Sequence, residues 1–302
     1  MKDKVSVGIC FAFLAAFLWS TGGVGIKVLS LDGFQVAAFR SFIAALFLLP
    51  FFRLGEIKWN KTLVGFLLAF TWMSASFVIS TKLTTAANAI ALQYTSVFWV
   101  FLIDELPVKK IIPKEKIIPF ILVLLGILFY MTEQNTGTNV LGNVLGLSSG
   151  LGFGVVVVLL RRLSLPNGKS VICLANGVVF IILFLIMLIM GFNLPDVKNV
   201  VFELSILIYL GVFQIATAYI VFNKALQSIS ALTGSFVALS EPVLNPIWVY
   251  LFLKEVPTFH GIMGWICLMI SVFIYLLTLN HQNSKINPSL ADEKLKHFDS
   301  SR

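Results

Sequence analysis

The sequence has 302 residues, of which 58% are hydrophobic and only 12% are charged, and its mean hydropathy is +0.95. Soluble domains carry about 25% charged residues, and a soluble core cannot hide this much apolar surface, so the composition excludes a water-soluble protein. The net charge of +8 does not indicate nucleic-acid binding, because the Lys and Arg residues lie between apolar runs and in the C-terminal tail rather than in one basic stripe.

Ten apolar runs follow in chain order, each close to the ~17–25 residues that a membrane-spanning helix needs. They cover residues 7–28, 34–52, 62–81, 84–103, 117–132, 141–160, 171–192, 204–222, 229–253 and 261–279. The first run is longer than a signal-peptide core and lacks an A-x-A cleavage site, so we expect a retained helix. The composition therefore predicts an all-α membrane protein with about ten transmembrane helices.

The distribution of Lys and Arg predicts the orientation in the membrane. If the N-terminus is cytoplasmic, seventeen of the 22 Lys and Arg residues fall on the cytoplasmic side of the ten spans. Positive charges accumulate on the cytoplasmic side of membrane proteins. Both termini are therefore expected in the cytoplasm.

No sequence motif indicates a cofactor, a metal or an enzyme. Cys10, Cys173 and Cys267 lie inside apolar runs, where they are expected to pack as small side chains. The segment GLSSG (146–150) has the form G-x-S-x-G, but it lies in an apolar run, and the three histidines lie in a loop or the tail. We expect no cofactor and no catalytic residues, and an intramembrane enzyme is the third hypothesis for function.

An internal repeat relates the two halves of the chain. Residues 93–130 align with 238–275 at an offset of 145, and residues 18–27 more weakly resemble 152–161, both ending in a cation. Each half then holds five spans, and an odd number of spans turns the second half upside down relative to the first. Inverted repeats of this kind are typical of transporters, whose binding site lies near the midplane where the halves meet.

These boundaries predict three parts of the chain. We expect a first five-helix repeat over 5–133, a second over 139–279, and a disordered cytoplasmic tail over 280–302, where the sequence becomes polar.

Three segments carry a resemblance to a known family. They are LWSTGGVGIK (18–27), FRSFIAALFLLP (39–50) and SEPVLNPIWVYLFLKE (240–255), the last followed by a glycine-containing final helix. In their order, spacing and duplication they resemble the EamA-type carriers of the drug/metabolite transporter superfamily. The resemblance implies a ten-helix carrier with inverted five-helix halves and a central cavity, inserted as a multi-pass protein in a cytoplasmic (inner) membrane.

Two charged residues lie inside the apolar runs. Glu241 is 13 residues before Lys254, about 20 Å along a helix and hence near the midplane. An ionised group there is costly unless it is paired, protonated or hydrated, so Glu241 is either a substrate or proton site or a carboxyl bonded to a neighbouring helix. Arg40 is either a cavity cation for an anionic substrate or a side chain that reaches the outer interface.

Two prolines follow Glu241 and predict a kink in the ninth helix. Pro242 and Pro246 each remove a backbone donor. An irregular helix at membrane depth is tolerated where it lines a cavity, although the kink could equally bend the helix around a neighbour. Asn245 and Trp248 lie one and two turns beyond Glu241 on the same face and become cavity candidates.

Polar and aromatic residues in the other runs complete the predicted cavity. A ligand cavity needs aromatic walls with a few fixed polar groups, although such residues also bond between helices or mark the membrane interface. The candidates are Trp19, Ser20, Trp72, Ser76, Gln93, Tyr94, Ser96, Gln214 and Tyr219.

Glycines repeat every four residues in the sixth run, at Gly142, Gly146, Gly150 and Gly154. This spacing predicts a face of small residues where another helix approaches closely, so we expect the four glycines to serve packing.

The sequence favours a secondary carrier, an exporter or facilitator of a small polar metabolite such as an amino acid, working by alternating access. Its expected partners are that metabolite and the lipid bilayer, with proton coupling and a homodimer left open and no nucleic acid. The alternative is a membrane sensor or scaffold protein without transport activity.

Overall fold

The apolar runs form helices, and no β-strand occurs in the residues that the structure describes. The structure is a computed structural model that describes residues 2–109, 111, 113–132, 139–163, 168–191, 193, 195, 199–254 and 258–286. The last helix continues to Ile286 instead of ending near residue 279, because a helix can extend into water beyond its apolar part. The rest of the predicted tail lies outside the described residues.

Nine helices in the described part of the chain are long and apolar enough to cross a membrane. Together with the helix of the fifth apolar run they are α1 Lys4–Val28, α2 Gly33–Phe51, α3 Lys61–Leu83, α4 Ala86–Val108, α5 Lys114–Met131, α6 Val140–Leu163, α7 Gly168–Met190, α8 Val200–Leu226, α9 Ala231–Phe252 and α10 Phe259–Asn280.

Helix α5 is the exception among the ten. Its 18 residues include Lys114, Glu115 and Lys116 in the first turn, which leaves a shorter apolar stretch. The helix nevertheless packs along α10, and a Cβ atom placed on Gly126 would lie 3.1 Å from the carbonyl oxygen of Gly264. The close approach of the two backbones holds α5 within the bundle.

The strongest helix–helix contacts follow the internal repeat. Helix α3 packs on α6, α1 on α8, α2 on α7, and α5 on α10. Exchanging the first and second halves turns the α3–α6 pair into the α8–α1 pair, and it maps the α2–α7 and α5–α10 pairs onto themselves. The fold therefore consists of two repeated helical halves that pack against each other.

In the part of the chain that the structure describes, a turn interrupts three helices in their middle, whereas α8 remains helical through a π-helical segment, Leu210–Thr217. The segments are Lys2–Ser20 and Gly22–Val28 in α1, Ala86–Gln93 and Ser96–Val100 in α4, and Ala231–Ala238 and Ser240–Trp248 in α9. Pro242 explains the break in α9, because it has no N–H to bond the carbonyl of Ala238. The break in α4 lies at the equivalent place, 145 residues earlier, and contains no proline.

The glycine face of α6 packs against α3 and α4, as its spacing predicts. A Cβ atom on Gly150 would lie 2.9 Å from the carbonyl oxygens of both Leu92 and Gln93, and one on Gly154 would lie 3.1 Å from that of Ser96. These carbonyls belong to the break in α4. The glycines thus allow α6 to approach the interrupted helix.

The outer surface of the bundle is apolar, as a lipid-facing surface must be. Large hydrophobic side chains such as Leu68, Leu124, Ile181 and Phe273 are exposed there. The buried polar side chains lie inside, which directs attention to the space between the two halves.

Candidate functional site

A small cavity lies inside the bundle, between the two halves. It is lined by Trp19, Arg40, Met73, Ser74, Phe77, Gln93, Phe153, Gln214, Ile215, Tyr219 and Glu241. It has about 20 Å³ of space for the centre of a water molecule, enough for one or two waters but far below the size of a metabolite site. In this conformation polar groups of both halves therefore converge on a space that is too small for a metabolite.

Arg40 places a buried guanidinium in this cavity. The residue is 2% exposed, so its head group does not reach the outer interface, which was one of the two interpretations of the sequence. Its Nη1 donates to Gln214 Oε1 at 3.3 Å, and its Nη2 donates to Ser74 Oγ at 3.2 Å. Both partners are neutral, so the positive charge lacks a countercharge in direct contact.

Glu241 places a buried carboxyl in the same cavity. It is 4% exposed and lies in the first turn of the second segment of α9, just after the break. The hydroxyl of Tyr94, at the break in α4, donates to its Oε2 at 2.6 Å. The two interrupted helices therefore meet at this hydrogen bond, and the structure places Tyr94 beside the cavity as a partner of Glu241.

The two charged groups face one cavity but do not form an ion pair with each other in the described structure. Two buried donors that line the cavity, Arg40 Nε and Trp19 Nε1, have no hydrogen-bond partner among the described residues. An unpaired buried donor costs free energy. A ligand that reached these two donors with an acceptor would remove that cost.

One wall of the cavity is aromatic. The ring of Trp19 meets Tyr219 and Phe222 at centroid distances of 5.0 Å, and Phe153 at 5.6 Å, all edge to face. The hydroxyl of Tyr219 donates to Met73 Sδ at 3.4 Å, across the cavity between α8 and α3. This combination of aromatic wall and polar groups is the composition that a small-molecule site requires.

Three other candidates form a second cluster beside the cavity. Asn245 Nδ2 donates to the carbonyl oxygen of Ser20 at 2.8 Å, and Trp248 Nε1 donates to Ser20 Oγ at 2.8 Å. Ser20 ends the first segment of α1, next to the break at Thr21. The cluster therefore joins the broken part of α1 to α9 and does not line the cavity.

Three candidates lie elsewhere. Trp72 is 54% exposed and faces away from the bundle, so its predicted place in the cavity is not what the structure shows. Ser76 is buried, but its hydroxyl donates to the carbonyl of Trp72 at 2.6 Å within the same helix. Ser96 is buried beside α6 and is not part of the cavity lining.

The sequence did not single out five of the lining residues, namely Met73, Ser74, Phe77, Phe153 and Ile215. Three of them, Met73, Ser74 and Phe77, belong to α3, where Phe77 lies about one turn after the other two. Ser74 carried the signal that could have found them, because a polar residue between apolar neighbours marks the inner face of a membrane helix.

Within the described ranges, no group of three or more His, Cys, Asp and Glu residues could hold a metal ion. The GLSSG segment lies inside the α6 helix, where Ser148 Oγ donates to the carbonyl of Leu145 at 2.9 Å. A nucleophile elbow requires a strand, a sharp turn and a helix. This segment is therefore an ordinary part of a packing helix.

Comparisons with known proteins agree with this architecture. Residues 6–132 and 140–277 match the EamA-like transporter family. An uncharacterized transporter of Clostridium kluyveri is 25% identical over 291 residues, which cover 88% of this chain and 92% of that protein. An uncharacterized transporter of Archaeoglobus fulgidus is 24% identical over 263 residues, which cover 86% and 93%. One crystal structure shares the fold with a TM-score of 0.72 at 15% identity, covering 91% of this chain and 98% of that one.

Proposed function

Because the chain belongs to the EamA-like transporter family, we propose that it is a secondary carrier that moves a small polar metabolite across the cytoplasmic membrane. The metabolite binds in the cavity between the halves, which opens to each side of the membrane in turn. The observation that carries this proposal is the closed cavity itself. Both halves contribute buried polar groups to it, and a site near the midplane between repeats is what alternating access requires.

The charges of the cavity favour a zwitterionic metabolite such as an amino acid. The Arg40 guanidinium and the indole N–H of Trp19 offer donors to a carboxylate, and the Glu241 carboxyl offers an acceptor to an ammonium group. A substrate with both charges adds no net charge to the membrane interior, which limits the cost of taking it through the bilayer. The aromatic wall around Trp19 would contact the apolar part of such a substrate.

Room for this substrate must come from a rearrangement, because the closed cavity holds only about 20 Å³ for a water-sized centre. The breaks in α1, α4 and α9 lie at or beside the cavity, so these helices can bend there without losing regular hydrogen bonds elsewhere. Alternating access would use these bends. Glu241, at the break in α9, would change its hydrogen bonding in the cycle and could carry a coupled proton.

Flux in liposomes tests the proposal. The purified full chain is reconstituted, and uptake is measured for labelled neutral amino acids, for carboxylic acids that lack the amine, and for amino-acid esters that lack the carboxylate. We expect the zwitterions to be taken up faster than either single-charge analogue and faster than in protein-free liposomes. Uptake of a single-charge analogue alone would contradict the substrate class, and no protein-dependent flux of any compound would favour a scaffold or sensor.

A further inference from the structure

Six of the seven helices that line the cavity form two packing groups, whereas α2, which carries Arg40, packs on both α8 and α3. Helix α1 packs on α8 and α9, and α6 packs on α3 and α4. We call these the α1 group and the α6 group. Each takes its three helices from both halves of the chain, and opening of the cavity requires the two groups to separate at one end. The contacts that cross between them therefore determine which end is closed.

At one end of the cavity, Lys27 joins the two groups. It lies in the last turn of α1, and its Nζ donates to the carbonyl oxygen of Thr84. Thr84 is the C-cap of α3 and immediately precedes Thr85, the N-cap of α4, whose hydroxyl accepts from Asn88 N at 3.1 Å. A cation at the C-terminal end of a helix is also stabilised by the helix dipole.

At the other end, Arg161 makes the equivalent contact. It lies in the last turn of α6, and its Nε donates to the carbonyl oxygen of Ile229 at 3.0 Å. Ile229 follows α8 and immediately precedes Ser230, the N-cap of α9, whose hydroxyl accepts from Thr233 N at 3.0 Å. Ile229 and Ser230 lie 145 residues after Thr84 and Thr85, the offset of the internal repeat.

The two contacts lie on opposite faces of the membrane. Because the spans alternate in direction, α1 and α6 run oppositely, and their last turns are at opposite ends of the bundle. From Ser230 to Glu241 the chain of α9 rises about 16 Å, and from Thr85 to Gln93 the chain of α4 rises about 12 Å. Each contact is therefore about half a bilayer away from the cavity.

We propose that Lys27 and Arg161 are matched gate residues, each of which closes one face of the membrane by tying its own group to the other. The inference rests on the proposed function, because it assigns the two closures that alternating access needs. In the closed conformation both contacts are made. Release of the Lys27–Thr84 contact opens the cavity to one face, and release of the Arg161–Ile229 contact opens it to the other.

Lys82 reinforces the closure at the Lys27 end. It lies in the last turn of α3, and its Nζ donates to the carbonyl oxygen of Leu29, the C-cap of α1, at 2.7 Å. Each lysine thus binds the backbone at the end of the helix that carries the other lysine. Removal of Lys27 alone leaves this second contact, so a double variant is needed to test this end fully.

Accessibility of the cavity from each face tests the gates without any substrate. Ile215, which lines the cavity, is replaced by Cys in a chain whose three native cysteines are Ser. A charged, membrane-impermeant thiol reagent is applied to two samples of sealed vesicles, in which the chain has opposite orientations.

The two gates should respond from opposite faces. Arg161→Gln should raise the labelling rate about tenfold from one face only. Lys27→Gln, or Lys27→Gln with Lys82→Gln, should raise it from the opposite face only. Tenfold corresponds to about 1.4 kcal/mol, close to the lower limit expected for one hydrogen bond to a charged group.

Three further variants control for charge and folding. Arg53→Gln removes an exposed cation whose salt bridge, at 3.7 Å, is to Glu56 within the same loop, and it should leave labelling slow from both faces. Arg161→Lys and Lys27→Arg keep a donor and should also label slowly. The proposal is overturned if Arg161→Gln and the double variant Lys27→Gln with Lys82→Gln accelerate labelling from the same face. It is also overturned if neither of them accelerates labelling. Labelling does not depend on flux. If the variants change labelling as expected but the chain transports nothing, the proposed function is contradicted and the assignment of the gate residues is not.

Discussion

At the scale of single residues, the cavity combines a buried guanidinium and a buried carboxyl, each bound to neutral groups and not to the other. Arg40 binds Gln214 and Ser74, and Glu241 accepts from Tyr94. Neutral partners satisfy each buried group without pairing it to an opposite charge, which is costly for stability but leaves both groups able to bind a ligand. A direct ion pair between Arg40 and Glu241 would stabilise both groups better, but it would leave neither group free to bind a ligand. The arrangement therefore supports the proposed binding site.

Replacing Arg40 tests this interpretation. Arg40→Gln keeps a hydrogen-bonding side chain but removes the positive charge that would face a substrate carboxylate. We expect flux of a carboxylate-containing substrate to fall at least about tenfold, since a hydrogen bond to a charged group contributes roughly 1.5–3 kcal/mol. Flux is measured in liposomes per amount of folded protein, with Arg53→Gln as the exposed control. Unchanged flux would assign Arg40 to structure.

The sequence identifies the charged residues and the helix breaks of the site better than the residues that line its walls. Glu241 stands out because a carboxylate within an apolar run is expensive, and Pro242 marks the break beside it. On α3 the sequence offers Trp72, Ser74 and Ser76 together, and both serines lie between apolar neighbours, so it does not decide which of the three faces the cavity. Only the packing of α3 against its neighbours decides that Ser74 faces the cavity and Trp72 the lipid.

At the scale of helices, the breaks in α4 and α9 are the features that bring the site together. They lie at equivalent positions of the two halves, and the hydrogen bond between Tyr94 and Glu241 joins them. The break in α9 could be predicted from its proline. The break in α4 could not, because it depends on a local turn and on α6, whose Gly150 fits against the carbonyls of Leu92 and Gln93.

Gly150 provides a test at this scale. A side chain there would meet two backbone carbonyls at 2.9 Å, and overpacking of this kind typically costs about 1–3 kcal/mol. We therefore expect Gly150→Leu to lower the folded yield and the thermal stability in detergent, with little effect on substrate preference.

The matched control is Gly177→Leu in α7, because a Cβ atom on Gly177 would meet no described heavy atom within 4 Å apart from its own stretch of helix backbone. This variant should keep a normal folded yield. A well-folded Gly150→Leu protein with altered selectivity would show instead that this face of α6 belongs to the transport pathway.

At the scale of the whole molecule, α1 of the first half packs with helices of the second half, and α6 of the second half packs with helices of the first. The cavity therefore lies between two groups that each contain helices of both halves. Sequence repetition predicted the halves, but the exchange of α1 and α6 between them could not be predicted, because it depends on which helix faces pack together. Opposite orientation of the halves would put one closing contact on each face. The charge distribution predicts which face is cytoplasmic.

Reporter fusions test this topology. Fusions after Lys110 and Gln282 should report the cytoplasmic side, and a fusion after Asn135 should report the external side, because seventeen of the 22 Lys and Arg residues fall on the cytoplasmic side of this arrangement. Enzyme reporters active on only one side of the membrane give the readout. Opposite reports from Lys110 and Gln282 would be incompatible with ten spans in two inverted halves.

The most direct measurement of the central claim, that the closed cavity is the transport site, is substrate exchange by Glu241→Gln in liposomes over a range of pH. The amide keeps the size of the side chain and can still accept from Tyr94, but it cannot ionise. We predict that exchange falls at least about tenfold while folded protein in the membrane stays near normal, and that Glu115→Gln, on the exposed first turn of α5, exchanges at the wild-type rate. Wild-type exchange by Glu241→Gln at every pH would contradict the account and leave Glu241 as a structural residue.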